Sequence, residues 1–285
     1  MEPSGGGAVE LPARGARVRA LGLPLPPARM PVLRAGRPLK RWRYVGVYGP
    51  QLMLCAADVR IGPLRQRFWA LATPDRQLRE RTSTLRSAGL RIDGGRVRID
   101  GGGVRASLEL DEQPGREVVH PSGERGWVWT RKQAGVPVRG TVEFDGRSHA
   151  IDARAVVDDT AGSHERRTTW RWSAGVGLGE GGERVAWNLV TGVNDSLEDS
   201  ERAIWVDGEE REPAPVEFAA DLSRIGFAEG GELRLDAWAE RSADTNLLLI
   251  RSAYRQPFGS FSGELPGGPA LAEGWGVMEW HDVRW

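Results

Sequence analysis

Polar and apolar residues alternate with a period of two along much of this chain. In GLRIDGGRVRIDGGGVRASLELD, Gly89 to Asp111, the apolar positions Leu90 and Ile92, Val97 and Ile99, then Val104, Ala106, Leu108 and Leu110 fall on common faces. That spacing is the mark of half-buried strands. Asp-Gly occurs at Asp93, Asp100, Asp145 and Asp207, each between alternating runs. A two-residue hairpin loop needs positive φ at both central residues, so these dipeptides predict four hairpins. VPVRGTVEFDGRSHAIDARAVVDD is another hairpin in outline, and TTWRWSAG, RVAWNLVTG, AIWVDG, ELRLDAWAE and NLLLIRSAY are strand-sized. Helical periodicity is weak. TPDRQLRERTSTLRSA, Thr73 to Ala88, is its best instance, and it carries Thr and Ser where strong helix formers belong. The pattern predicts an all-β chain with at most one or two short helices, folded as two antiparallel barrels or sandwiches.

The punctuation divides the chain into a flexible Pro/Gly/Arg-rich arm over residues 1–27 and two β units, 28–155 and 156–285. The 39 basic and 39 acidic side chains balance, which removes the global field that gathers nucleic acid or an anionic membrane surface. No run approaches the ~18 apolar residues of a membrane span. Cys55 is the only cysteine; with no apolar leader after a basic start, a reducing, cytoplasmic location is expected. Ten of the 12 tryptophans lie at or after Trp127. They either fill a core or line a pocket.

The closing stretch GWGVMEWHDVRW carries the sharpest chemical question. As a strand it puts Trp275, Val277, Glu279, His281, Val283 and Trp285 on one side, apolar except in its middle. Burial would raise the pKa of Glu279 and depress that of His281, whereas mutual pairing pushes both the other way, so the pair is a candidate for acid-base catalysis. The structural alternative has Glu279 binding an arginine such as Arg255 or Arg284 and His281 satisfying a backbone group. Lys40 and Lys132 are the only lysines beside 37 arginines; each is either a surface residue or a compact charge at a site. In DDTAGSHERRTTWRW, Trp170 and Trp172 share a face, and Arg167 either clamps the sheet edge or orients a ligand carbonyl. Trp187 and Asn188 point to opposite faces of AWNLVTG, and an inward Asn must have partners. Candidate substrate-binding residues are therefore Lys132, Arg167, Trp170, Trp172, Trp187 and Asn188. Gly177, Gly179 and Gly182 spell GxGxxG but lead into a strand, GSFSG has Phe where a nucleophile elbow needs Ser, and the four histidines lack ligand spacing. No metal, nucleotide or other cofactor is expected.

KRWRY, GWVWTRK, DDTAGSHERRTTWRW, WNLVTG, QPFGSFSGEL and GWGVMEWHDVRW together resemble a bacterial family, domain of unknown function 2804, over about Leu23 to Trp285. More distantly the chain is similar to two-barrel lipocalin-like proteins that include carotenoid hydratases, tocopherol cyclase and Diels-Alderase-type enzymes. That resemblance implies two lipocalin-like barrels and a hydrophobic small-molecule site. The expected function is binding of a lipid, terpenoid or polyketide in a barrel cavity, with Glu279 and His281 moving protons in hydration, isomerisation or cyclisation. A carrier without catalysis and a cavity-free interaction scaffold are the alternatives.

Overall fold

The structure, a computed structural model, describes residues 10–84, 87–247 and 250–284. Trp285, the last residue of the proposed Glu279 face, and two residues of NLLLIRSAY lie outside them. Nearly all regular structure is strand, and the strands form two large antiparallel sheets. The first runs, edge to edge, Leu78–Ser83, Leu64–Ala72, Met53–Ile61, Lys40–Tyr48, Arg147–Gly162, Gly126–Phe144, Val104–Leu110, Arg96–Gly101, Leu90–Asp93. The second runs Glu209–Arg211, Ala203–Val206, Arg184–Thr191, Arg167–Gly179, Leu271–Arg284, Ile250–Glu264, Glu232–Leu247, Arg224–Phe227, Val216–Phe218. The two share one connectivity. In each, strands meander outward from a founding strand (Lys40–Tyr48 or Arg167–Gly179), and the final strand returns to pair with that founder.

Each sheet curls around its own apolar lumen, and both lumens are packed with side chains. Val45, Val47, Leu54, Leu71, Trp69, Leu108 and Val157 belong to the first core, and Trp187, Leu189, Ile204, Phe261 and Met278 to the second. A third core lies between the sheets, where Tyr44, Tyr48, Cys55 and Ala57 of the first meet Trp172, Ala174, Phe258 and Val277 of the second. Because side chains alternate across a strand, one face of each central strand fills a lumen and the other fills this seam. Gly126–Phe144 changes face partway. Ala134 packs into the seam and Val136 into the first lumen, with a bulge between them. Gly135 makes that possible at φ +73, a conformation that side-chain-bearing residues adopt at a cost.

All four expected hairpins form, with a change of register at two. Asp145-Gly146 and Asp207-Gly208 occupy their loops with positive φ at both residues. At the other two sites the loop is Gly94-Gly95 or Gly102-Gly103, and the Asp sits in the strand before it. Consecutive glycines take the strained positions more cheaply than Asp does, and this register keeps Val97, Ile99, Val104 and Ala106 in the lumen. The best helical candidate is a correction: Leu78–Ser83 within it is an edge strand paired with Leu64–Ala72. Cross-strand pairing overrides a weak local preference, and the run of Arg79, Glu80 and Arg81 suits an edge. The one helix among the described residues is Ala16–Ala20, within the arm, where the sequence indicates none. Beside it Ala13–Arg14 pairs with Arg116–Ser122, and the Arg14 guanidinium donates to Arg202 O at 2.9 Å.

A Cβ at Gly135 would meet only Ala186 Cβ, at 3.8 Å, so replacement there tests the backbone alone. Gly135→Val is expected to lower stability by about 1–3 kcal/mol in denaturant titration, whereas Gly146→Asn, in a turn that tolerates Asn, should change it little.

Candidate functional site

Leu271–Arg284 lies at the middle of the second sheet, and its register places Trp172 opposite Glu279 and Trp170 opposite His281. Tyr254 of Ile250–Glu264 also faces His281. Glu279 points into the seam and is 8% exposed. Its Oε1 accepts from Trp170 Nε1 at 2.8 Å and its Oε2 from Gln256 Nε2 at 2.9 Å. Both donors are neutral. Burial pushes the carboxyl up to about 7, and the nearby charge of Asp158 adds to this against the pull of the Trp170 bond and Arg241. The group therefore exchanges its proton near neutrality. The Tyr254 hydroxyl is buried without a sound hydrogen bond among the described residues, yet it and Glu279 lie close enough to feel one another's charge.

His281 is not bonded to Glu279 among the described residues; its Nε2 lies 2.7 Å from Ser252 Oγ. The ring sits between Trp170, centroids 4.3 Å apart, and Tyr254, 5.2 Å. Burial pushes its pKa down to about 3, with the charge of Arg241 acting in the same direction, so the imidazole is neutral at physiological pH. Arg241 itself pairs with Glu80 at 2.9 Å and stacks over Phe68 and Tyr254, tying the edges of the two sheets together. Arg255, one of the arginines expected to bind Glu279, instead holds Glu240 at 2.7 Å.

A second carboxyl occupies the matching place in the first sheet. Tyr44 faces Asp158 and Trp42 faces Thr160, as Trp172 faces Glu279 and Trp170 faces His281. Trp42 Nε1 donates to Asp158 Oδ2 at 3.2 Å, repeating the bond from Trp170 to Glu279. Tyr44 and Trp172 meet edge to face across the seam with centroids 5.4 Å apart. The two carboxyls differ in what else holds them. Asp158 Oδ1 takes Lys132 Nζ at 2.8 Å and Thr160 Oγ1 at 2.9 Å, and Lys132 reaches Glu201 at 3.4 Å. Burial works to neutralise Lys132, but Asp158 and Glu201 outweigh it and hold its pKa above the ordinary value. Burial, then the charge of Asp158, raises Glu201. Asn188 closes this cluster, accepting from Trp172 Nε1 and donating to Glu201 O, both at 2.8 Å.

The model of a family described as a domain of unknown function (DUF2804) matches residues 77–285. The chain belongs to the DUF2804 family. A comparison with curated proteins finds no match. Among solved structures, a Nitrosomonas europaea protein described as "putative AttH (NE1406)" superposes with a TM-score of 0.52 at 15% identity, covering 85% of this chain and 91% of that one. Kievitone hydratase from Nectria haematococca follows with a TM-score of 0.49 at 12% identity, over 84% and 88%. CghA with Sch210972 gives 0.42 at 10%, over 86% and 88%. At such identities the likeness is one of fold.

Within this DUF2804 chain the seam gathers Glu279, His281, Trp170, Trp172, Lys132 and Asn188. It does not gather the other two candidates. Trp187 lies in the second lumen and donates to Ser173 Oγ at 3.0 Å, because it alternates with Asn188. Arg167 is exposed and holds Asp282 of the neighbouring strand at 3.1 Å, a bridge within the second sheet and not one between the two. Both lysines are buried, not on the surface; Lys40 donates to His164 O at 3.2 Å. The candidates that come together do so in the seam and not in either lumen, where apolar side chains pack. Hollows of about 390 and 490 Å³ lie elsewhere, one beside Gly103 and Phe144 and one beside Arg37 and Arg166. Sequence reasoning missed Tyr254, Gln256, Asp158, Glu201 and Arg241. The repeated Trp-Arg-aromatic triplets, Trp42-Arg43-Tyr44 and Trp170-Arg171-Trp172, were the signal for Asp158.

A carboxyl whose folded pKa is raised stabilises the fold fully below its unfolded value near 4.5 and loses that contribution as pH rises through 7. His281 acts oppositely, its contribution falling as pH drops below 6.5. The difference between wild type and Glu279→Gln isolates the carboxyl: from pH 5 to 8 wild type should lose about 2.5 kcal/mol relative to the variant in denaturant titration. Lys132→Met strands two buried carboxylates and should cost about 3–5 kcal/mol, with most of it recovered in Lys132→Met/Asp158→Asn/Glu201→Gln.

Proposed function

We propose that this chain binds an apolar small molecule of lipid, terpenoid or polyketide type in the seam between its sheets and transfers a proton to it from Glu279. The carrying observation is a buried carboxyl with a pKa near 7 among aromatic rings. In a hydration, the Glu279 O–H proton would go to one carbon of an alkene, the π electrons forming the new C–H bond and leaving a cation on the other carbon. Water would then add to that carbon and return a proton to the Glu279 carboxylate. Trp172 and Tyr44, edge to face in the same seam, are the rings that would stabilise such a cation, and isomerisation or cyclisation would use the same first step. His281, neutral and held by Ser252, acts as a positioning wall against Trp170. Entry requires half-buried side chains to move aside, and Trp42, Val59, Phe68 and Trp170 are of that kind.

A second reading, a carrier without catalysis, is favoured by the fact that both Glu279 oxygens already hold donors. The two readings separate in one experiment. Native mass spectrometry of protein purified from its own cells should show a retained apolar molecule. With that molecule as substrate, Glu279→Gln is expected to lower turnover by about 10²-fold or more while ligand retention stays. Undiminished turnover in the variant would remove Glu279 from the mechanism, and retention with no turnover in the wild type would assign the carrier role.

A further inference from the structure

The neutral total conceals an uneven distribution: between Arg29 and Arg67 the chain has nine basic residues and a single carboxylate, Asp58. That segment builds one end of the first sheet. Leu33–Arg34 and Arg37–Pro38 form a small hairpin, and Leu39 N donates to Val32 O at 2.9 Å. The turn joining Met53–Ile61 to Leu64–Ala72 lies against it, through Gly62 N to Leu39 O at 3.0 Å. Val32, Leu33 and Leu64 are 79, 62 and 57% exposed, three of the four large apolar side chains that are so exposed among the described residues. The hairpin is held rigidly: Arg34 lies 3.7 Å from the Trp127 ring centroid, and Arg37 donates to Ser122 O at 2.8 Å. Entropy is thus spent before any partner arrives.

One residue back from the tip stands a row of like charges. Arg41 faces Arg60, and Arg60 faces Arg65, across three adjacent strands. Like charges placed directly opposite destabilise a sheet. Arg65 is relieved by Asp58, at 2.7 Å from its Nε; Arg41 and Arg60 have no ion pair among the described residues. Burial and the charges of Arg65 and Arg41 push the pKa of Arg60 down, so the row lacks enough counter-charge.

We infer that this end of the molecule docks on an anionic lipid bilayer, with Val32, Leu33 and Leu64 entering the interface and Arg41 and Arg60 meeting lipid phosphates. Exposed apolar tips ringed by unpaired cations suit that surface and not a soluble polyanion, which has no use for the leucines. Trp42 and Val59, the next cross-strand pair inward, are half-buried in the seam, so the docked end is also where the seam begins. The inference does not depend on the chemistry of Glu279.

The test is co-sedimentation of the full chain with vesicles of phosphatidylcholine alone and of phosphatidylcholine with phosphatidylglycerol. Binding is expected only to the anionic vesicles, and it should weaken as salt rises. Leu33→Ser/Leu64→Ser and Arg41→Gln/Arg60→Gln, all outside the cores, should each lower partitioning by roughly tenfold, the scale of a few exposed anchors, with unchanged melting temperature. No binding to anionic vesicles at low salt would overturn the inference. So would binding that survives the leucine substitutions at full strength, which would be adsorption by charge alone. Turnover of a dispersed substrate by these variants should equal wild type, so a failure here is separate from a failure of the Glu279 reading.

Discussion

Carboxyl groups taken out of water must find donors, and that requirement organises the seam on which the two sheets depend. Glu279 and Asp158 lie where sheet packing buries them, and each takes an indole N–H from the tryptophan two residues before its facing aromatic. Those indoles are anchored by the pairings of the founding strands. Gln256 then serves both sheets, giving its N–H to Glu279 and standing 3.8 Å from Cys55 Sγ of the first. Removing a ring here would leave an oxygen unpaired in an apolar layer, so packing and polar satisfaction are one constraint rather than two.

The same geometry explains what could be read from the amino acids and what could not. Outer strands cover one lumen and face water on the other side, so Val97, Ile99, Val104, Ala106 and Leu108 alternate cleanly with arginines and a serine, and both strand type and inward face were legible. Central strands are buried on both faces. In Lys40–Tyr48, Val45 and Val47 enter the lumen while Tyr44 and Tyr48 enter the seam, and a period-two pattern cannot mark such a strand. A reader who sees Glu279 among valines infers an apolar environment correctly but assigns it to a lumen, because nothing local reveals a second sheet behind.

Edges were less legible for another reason. Leu78–Ser83 is polar, short and charged, which resembles a poor helix as much as a guarded strand, and only its pairing with Leu64–Ala72 decides the matter. Arg241, Glu80 and Tyr254 come together from positions far apart in the chain; no spacing rule connects them. Glu201 reaches Lys132 from a loop that Arg202, fully buried, holds through Asp195 O at 2.9 Å and Pro213 O at 3.1 Å. A loop fixed by backbone carbonyls leaves no periodic trace. The all-β class survived these ambiguities because it rests on many independent strands.

Repetition of one sheet topology supplies two equivalent carboxyl positions, and the chain has treated them differently. Beside Asp158 it placed an ammonium and a threonine hydroxyl. Beside Glu279 it placed only neutral donors and a tyrosine, leaving burial to raise the pKa. Had both positions served only to fasten the sheets, the simplest arrangement would repeat the ion pair, since an acid poised near neutrality stabilises the fold less at higher pH than one held by a cation. The two carboxyls thus share one apolar layer with different partners, one clamped by an ammonium and the other held by neutral donors. Burial does most to raise Glu279, and the charge of Asp158 acts in the same direction, so the clamped carboxyl helps to keep the proton on its neighbour.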